Sequence, residues 1–379
     1  MKEIRDIIAA FEKAQSESKS SALATVVHVE GSSYRKEGAR MLITEDGELT
    51  GAISGGCLEG DALRKALFVM QERKPKLVIY DTSNEDDVEV GYQLGCDGII
   101  KVLIEPINHE ELVHPITILK EATASRNNAV IVTLFSLKHN NVQKGTCLLV
   151  KEDEFILESM DDEMLLNKLM PDVKTSLANK KSINRNYGGN DEELTAFIHF
   201  LKPQPTLILV GAGNDAIPLV KMAEVVGWQV TVVDGRPNYA SKKRFSSGCQ
   251  VMVLKPEEIF SGIEMDEQTL FVLMTHNYNY DLAVLRQLIG KNVQYIGILG
   301  SRNKVARMLD DLSSDGGNIE KALSKIYSPV GLDIGAETPE EIALSITSEI
   351  QAVLAGRSVN HLRRLNSQRA PASESKNSF

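Results

Sequence analysis

The stretch from Thr206 to Asp234 restricts the possible folds of this chain more than any other. An apolar run, Thr206–Val210, ends in Gly211-Ala212-Gly213-Asn214-Asp215-Ala216, and an apolar helical pattern follows over 215–226. A second strand pattern, Gln229–Val233, then ends at Asp234, 21 residues after Gly213. This is the Gly-x-Gly-x-x-Ala form of a dinucleotide-binding turn. Gly211 permits the tight turn, Gly213 lets a phosphate reach the backbone, and Ala216 allows close packing of helix on strand. Unpaired N–H groups at the helix start, around Asn214, are set to face an anion. Asp234 stands where a carboxylate holds a ribose hydroxyl and so favours NAD, whereas Arg236 suits the extra phosphate of NADP. The alternative is a turn that closes the fold and binds no dinucleotide.

Strand patterns continue at Val251–Leu254, Thr269–Met274 and Val293–Leu299, with helical segments near 279–289 and 303–313. Alternating apolar strands and helices predict a Rossmann-type, doubly wound parallel sheet over 201–360. Ligands of such sheets bind beyond the C-terminal strand ends. That adds Thr275-His276-Asn277 and Gly300-Ser301-Arg302 to the candidates. His276 suits proton transfer or a hydrogen bond to phosphate, while Ser301 also reads as a helix N-cap. Thr338-Pro339-Glu340-Glu341 opens the last helix with a capping box and a first-turn proline, a structural device.

The other 200 residues suggest a further domain, since 379 residues amount to two or more domains of about 150. Residues 1–180 read as an α+β or α/β domain. A helix over 2–16 is followed by strands at Ala22–Val29, Ala39–Thr44 and Glu48–Ile53, a helix over Cys57–Arg73, and strands at Lys76–Tyr80 and Ile99–Glu105. A helix over 115–125, strands at Ala129–Leu137 and Gly145–Val150, and a helix over Asp161–Ala178 complete it. Residues 181–200 read as a linker and 361–379 as a disordered tail, and no internal repeat is evident. The densest signal here is Ser54-Gly55-Gly56-Cys57, where a strand ends and a helix begins. Gly55 and Gly56 permit close backbone approach. The positive end of the helix dipole favours the Cys57 thiolate, with Glu59 and Asp61 opposing; a small buried hydrophobe is the other reading of Cys57. Arg35, in the loop Gly31–Lys36, offers a cation to an anion, or lies in an ordinary exposed turn. Cys96, in Gly95-Cys96-Asp97-Gly98, is a second glycine-flanked loop cysteine within the long acidic loop Ser83–Gly98. Cys147 and Cys249 sit in apolar contexts and read as inert.

Charge narrows the function classes. Lys and Arg number 42 against 52 Asp and Glu, a net charge of −10 that speaks against nucleic acid as a partner. No apolar run approaches the ~20 residues of a membrane span, and the N-terminus reads as a charged helix and not as a signal peptide. A cytoplasmic protein is expected. Four scattered cysteines make neither a disulfide framework nor a zinc site. They also lack the cysteine sets that iron–sulfur clusters require.

Taken together, GSSYRKEGARM, GAISGGCLEGD and LGCDG in the first domain resemble the XdhC/CoxI family of accessory proteins for molybdenum hydroxylases such as xanthine dehydrogenase. LVGAGNDAIPL, GWQVTVVDGR, MTHNYNYDLAVL, YIGILGSRNK and PVGLDIGAETPEEIALSI carry the same resemblance through the second, so it covers about residues 1–355. It implies a chaperone that binds the molybdenum cofactor, as molybdopterin or its dinucleotide form. Such a protein protects the sulfurated cofactor and delivers it to the apo-hydroxylase, working with a cysteine-desulfurase-like sulfurase; a homodimer is expected by analogy. Gly211, Gly213 and Asp234 are then expected at the phosphate-bearing end. Asn214, Ala216, Arg236, His276, Gly300, Ser301, Ser54, Gly55, Gly56 and Arg35 are further binding candidates. Cys57 and Cys96 are candidate contacts of molybdenum. The family turn commonly continues Gly-x-Gly-His, and here Asn214, which cannot titrate, takes that place. An acid–base role would pass to His276, the other catalytic candidate beside Cys57. The competing readings are an NAD(P)-dependent oxidoreductase, which lacks an evident Lys/His/Tyr constellation, and a sulfur carrier acting through Cys57.

Overall fold

Strand β1 (Ser21–Gly31) is apolar at almost every position of its first half because both of its faces are covered. In the computed structural model Ala22, Ala24 and Val26 pack towards helix α2 (Glu59–Glu72), while Leu23 and Val27 face a second sheet. The structure describes all residues except 82–97, 139–142, 153, 161, 189–192, 264, 315–322 and 362–379. Two compact units divide the chain, Met1–Pro203 and Gln204–Phe379.

The first unit contains two antiparallel sheets. Helix α1 (Lys2–Ser16) leads into β1, β2 (Arg40–Thr44), β3 (Leu49–Gly51), α2, β4 (Lys76–Asp81) and β5 (Gly98–Pro106), in the spatial order β3-β2-β1-β5-β4. Helix α3 (Pro115–Ala124) leads into β6 (Ala129–Phe135), β7 (Gly145–Lys151), β8 (Glu154–Glu158), α4 (Glu163–Asn179), β9 (Ile183–Gly188) and β10 (Glu193–Leu201), in the order β8-β7-β6-β10-β9. Element sequence and strand order are the same in both halves, so the unit is a structural duplication. The sequence shows no such repeat because the two copies share an apolar pattern and not residue identities. Side-chain alternation places Val130, Val132 and Leu134 against α4, and Ile131 and Phe135 against the first sheet.

The linker expected over 181–200 is instead folded: β9 and β10 complete the second sheet, and the unit boundary falls between Pro203 and Gln204. Strand β9 lies at a sheet edge with its residues half-buried or exposed, so it needs no apolar run and reads as a polar connector. The tail expected over 361–379 lies outside the described residues, apart from His361.

The second unit is the doubly wound sheet that the sequence predicts. Its parallel strands are β11 (Thr206–Val210), β12 (Gln229–Asp234), β13 (Gln250–Val253), β14 (Thr269–Leu273), β15 (Tyr295–Ile298) and β16 (Ile326–Tyr327), ordered β13-β12-β11-β14-β15-β16. Helices α5 (Ala216–Val225) and α8 (Pro339–Leu354) cover one face, and α6 (Tyr278–Leu288) and α7 (Arg302–Ser314) the other. Chain order reverses between β11 and β14, which opens the switch-point crevice directly above the glycine turn. The capping box of α8 forms as read, with Glu341 N–H donating to Thr338 Oγ1 at 3.3 Å and Thr338 N–H to Glu341 Oε2 at 3.0 Å.

Two buried charged groups of the first unit, Glu105 and Arg40, are paired across its two sheets. Glu105 of β5 accepts from the Thr146 amide at 2.5 Å and the Thr146 hydroxyl at 2.9 Å. Arg40 of β2 lies 3.2 Å from Nδ1 of His199 on β10 and donates to the Gly38 carbonyl at 3.0 Å. Burial raises the Glu105 pKa from 4.5 to about 7, against the Thr146 hydrogen bonds and the Arg40 charge. The folded state therefore keeps this proton longer than the unfolded chain does. Stability from this site is full below pH 4.5 and falls as pH rises to about 7. Urea unfolding followed by circular dichroism between pH 4.5 and 7.5 should show that decline, and Glu105→Gln should flatten it.

Candidate functional site

At the switch point the β11 and β14 ends nearly touch. A methyl group on Gly211 (φ +122°) would come within 2.5 Å of the Met274 carbonyl oxygen, so only glycine fits. Gly211 N–H donates to the Val233 carbonyl at 2.8 Å, and Ala212 N–H to Asp234 Oδ2 at 2.8 Å. Among the described residues the amides of Gly213, Asn214 and Asp215 meet no acceptor, and the space over Gly213 is open. These three N–H groups at the start of α5 are where an anion can bind.

Asp234, buried at the end of β12, is held by Arg236. Its Oδ1 accepts the Arg236 amide and Nε, both at 2.9 Å, and its Oδ2 accepts Nη2 at 2.7 Å. Burial alone would raise the Asp234 pKa; the Arg236 guanidinium and the two amides outweigh it and hold the carboxyl below its ordinary range. His276, exposed and in a left-handed turn (φ +59°), approaches the glycine turn with Nε2 3.5 Å from Asp215. Ser301 accepts the Lys304 amide at 3.3 Å, as an N-cap of α7 does.

Three residues of this edge escaped the sequence reading. Arg244 crosses the glycine turn, donating to the Ala212 carbonyl, to the Tyr239 carbonyl at 2.7 Å and to Asn214 Oδ1 at 2.9 Å. Asp281 is fully buried, accepting from the Thr275 hydroxyl at 2.6 Å and from Lys304 Nζ at 2.8 Å. Lys304 in turn packs against Gly300 and donates to the Leu299 carbonyl at 3.3 Å. The pair thus ties the β14 turn to the β15 turn. A signal for Asp281 was present: it shares the apolar stripe of α6 with Val284, Leu285 and Leu288, where a lone charge needs a partner.

In the first unit the β3–α2 turn is closed by its own carboxylate. Glu59 accepts the amides of Ile53 at 3.2 Å, Ser54 at 2.8 Å and Leu58 at 3.1 Å, together with the Ser54 hydroxyl. Ser54 Oγ accepts the amides of Gly56 at 3.2 Å and Leu58 at 3.1 Å. Burial would raise the Glu59 pKa, but these hydrogen bonds prevail and lower it. The half-buried Cys57 thiol donates to Ser54 Oγ at 3.4 Å. Gly56 (φ +113°) supplies the left-handed step. The matching β8–α4 turn of the second copy is shorter and carries a plain Asp162 cap on the Leu165 amide at 2.9 Å. The Gly-Gly-Cys turn is therefore a departure from what the scaffold requires. Arg35 is ion-paired with Glu3 of α1 and so already has an anionic partner. Cys96 lies outside the described residues. Burial raises the thiol pKa of Cys147, and raises that of Cys249 to about 11, which suits inert side chains.

Two family models match the chain: the XdhC and CoxI family over residues 14–81 and the XdhC Rossmann domain over 207–350. A Bacillus subtilis protein described as a probable xanthine dehydrogenase subunit is 32% identical over 328 residues, 86% of this chain and 91% of that protein. The molybdenum cofactor insertion chaperone PaoD of Escherichia coli is 22% identical over 335 residues, 88% of this chain and 84% of that protein. A crystal structure described as a xanthine dehydrogenase from Bacillus halodurans superposes with a TM-score of 0.73 at 33% identity, covering 93% of this chain and 97% of that one.

Removing one partner of the buried Lys304–Asp281 pair leaves an uncompensated charge. Lys304→Met should cost about 3–5 kcal/mol in urea unfolding, and adding Asp281→Asn should restore most of the loss. Unchanged stability in the single variant would show that the pair does not hold these turns.

Proposed function

This chain belongs to the XdhC and CoxI family, and from that premise we propose that it serves a xanthine-dehydrogenase-type hydroxylase as an accessory protein, taking up molybdenum cofactor as cargo and passing it to the apo-enzyme. The observation that carries this reading is that its likeness to a molybdenum cofactor insertion chaperone extends through both units. The finer roles are to protect the sulfurated cofactor, to receive it with the help of a cysteine-desulfurase-like sulfurase, and to act as a homodimer.

The residues suit cargo holding. The free amides of Gly213, Asn214 and Asp215 offer donors to the phosphate end. The Cys57 thiol, carried on a turn held rigid by Ser54 and Glu59, offers a soft ligand to molybdenum. When bound, the cargo supplies the molybdenum centre; the chain binds, orients and shields it. The Asp234 carboxylate is already shared between Ala212 and Arg236, which weakens the NAD-dependent alternative.

Titration of the purified chain should show binding of molybdenum cofactor and none of NAD(H). Binding of NAD(H) alone would replace the chaperone with an oxidoreductase. Cys57→Ser should lower activation of the apo-hydroxylase at least ~10-fold, the scale of losing a metal-site contact. Full activation by that variant would remove Cys57 from the delivery step.

A further inference from the structure

Asp234 has no capacity left for a ribose diol. Its two oxygens already accept four hydrogen bonds, one from Ala212 and three from Arg236, the full complement of a carboxylate. Tyr280 packs close to neighbouring Gly235, where an added methyl group would come within 3.0 Å of the ring. The position that reads as a diol holder in the sequence is a fixed anchor for Arg236.

The chain segment that directly follows Asp234 is basic. In a chain of net charge −10, the segment from Gly235 to Pro256 holds Arg236, Lys242, Lys243, Arg244 and Lys255 and no acidic residue. Two of these are built into the turn. The guanidinium carbons of Arg236 and Arg244 lie 4.1 Å and 5.4 Å from the centre of the Tyr239 ring, an arrangement that orders both side chains. Arg244 then crosses the glycine turn through Ala212 and Asn214. Of five N–H donors each, Arg236 uses two on Asp234 and Arg244 uses three on its oxygen acceptors. The remaining donors of both arginines and the free amides of Gly213 to Asp215 lie at one strand end, and the exposed Lys242 and Lys243 directly precede Arg244 in the chain.

We propose that the end of β12 is a site for a terminal phosphate monoester, formed by Arg236 and Arg244 beside the glycine turn. A monoester concentrates close to two negative charges and three acceptor oxygens on one phosphorus near neutral pH, whereas each phosphorus of a pyrophosphate bridge carries one charge and two free oxygens. The site therefore selects a ligand that ends in a monoester over one that ends in a diol or continues through a pyrophosphate. For the pterin cargo this deepens the chaperone reading and rests on it: the chain takes the molybdopterin form in preference to the dinucleotide. The same chemistry in a nicotinamide nucleotide is the 2′-phosphate of NADP+.

Calorimetric titration of the full chain with two pairs of probes tests this: molybdopterin-type cofactor against its dinucleotide form, and NADP+ against NAD+. The monoester member of a pair should bind at least about tenfold tighter, and the preference should shrink as salt is raised. Arg244→Gln should abolish the preference. Should that variant melt below the parent, Lys242→Gln/Lys243→Gln, which alters only exposed side chains, should still weaken the monoester ligand several-fold and leave its partner unchanged. Equal affinity within both pairs, tighter binding of NAD+ or of the dinucleotide form, or a preference that survives in a normally melting Arg244→Gln would overturn the site. A preference for NADP+ without cofactor binding would keep the site and overturn the chaperone reading. Cofactor binding without a monoester preference would do the reverse.

Discussion

Burial of both faces of every sheet governs how this chain is built. In the first unit the two sheets cover each other on one side and α2 and α4 cover them on the other. In the second, α5 and α8 oppose α6 and α7 across the parallel sheet. Burial on this scale, at roughly 25 cal/mol per Å², supplies the main driving force, but it leaves no sheet face for chemistry. Charged side chains inside need partners there, as Glu105 has in Thr146 and Arg40 in His199. Ligand chemistry is confined to the strand ends, where chain direction changes and backbone donors emerge.

Both candidate turns lie where a strand gives way to a helix, and they treat those donors in opposite ways. Before α2, Glu59 takes the amides of Ile53, Ser54 and Leu58, so the turn is filled by the protein's own carboxylate and presents a thiol. Before α5, three consecutive amides stay open and Arg244 lies across them. One turn is rigid with a soft atom on it, the other an unfilled place for an oxyanion.

Much of this was legible in the sequence, because some requirements are local. The glycine turn, its spacing to Asp234 and the capping box at Thr338 follow from backbone geometry over a few residues, and each was read correctly as to structure. What escaped depends on partners distant in sequence or on conformation. An edge strand such as β9 needs no apolar signature, so it passed for a linker. The duplication is written in strand order and not in residue identity. Asp234 reads as a free carboxylate until Arg236, two residues away, is seen to wrap back onto it. Arg35 offered itself to a ligand in the sequence and is ion-paired to Glu3 in the structure.

The duplication in the first unit has an evolutionary consequence. Two copies of one scaffold share a single interior, and in the second copy an ordinary aspartate begins the helix with a connection of four residues, 159–162. The first copy uses seven, 52–58, including two glycines and a cysteine that its helix does not require. Redundancy of this kind frees one connection from selection for folding while its twin keeps the architecture intact. Variation should accordingly be unequal between the two: the second turn can drift among good helix starts, whereas the first is held by the Ser54 and Glu59 hydrogen bonds that close it.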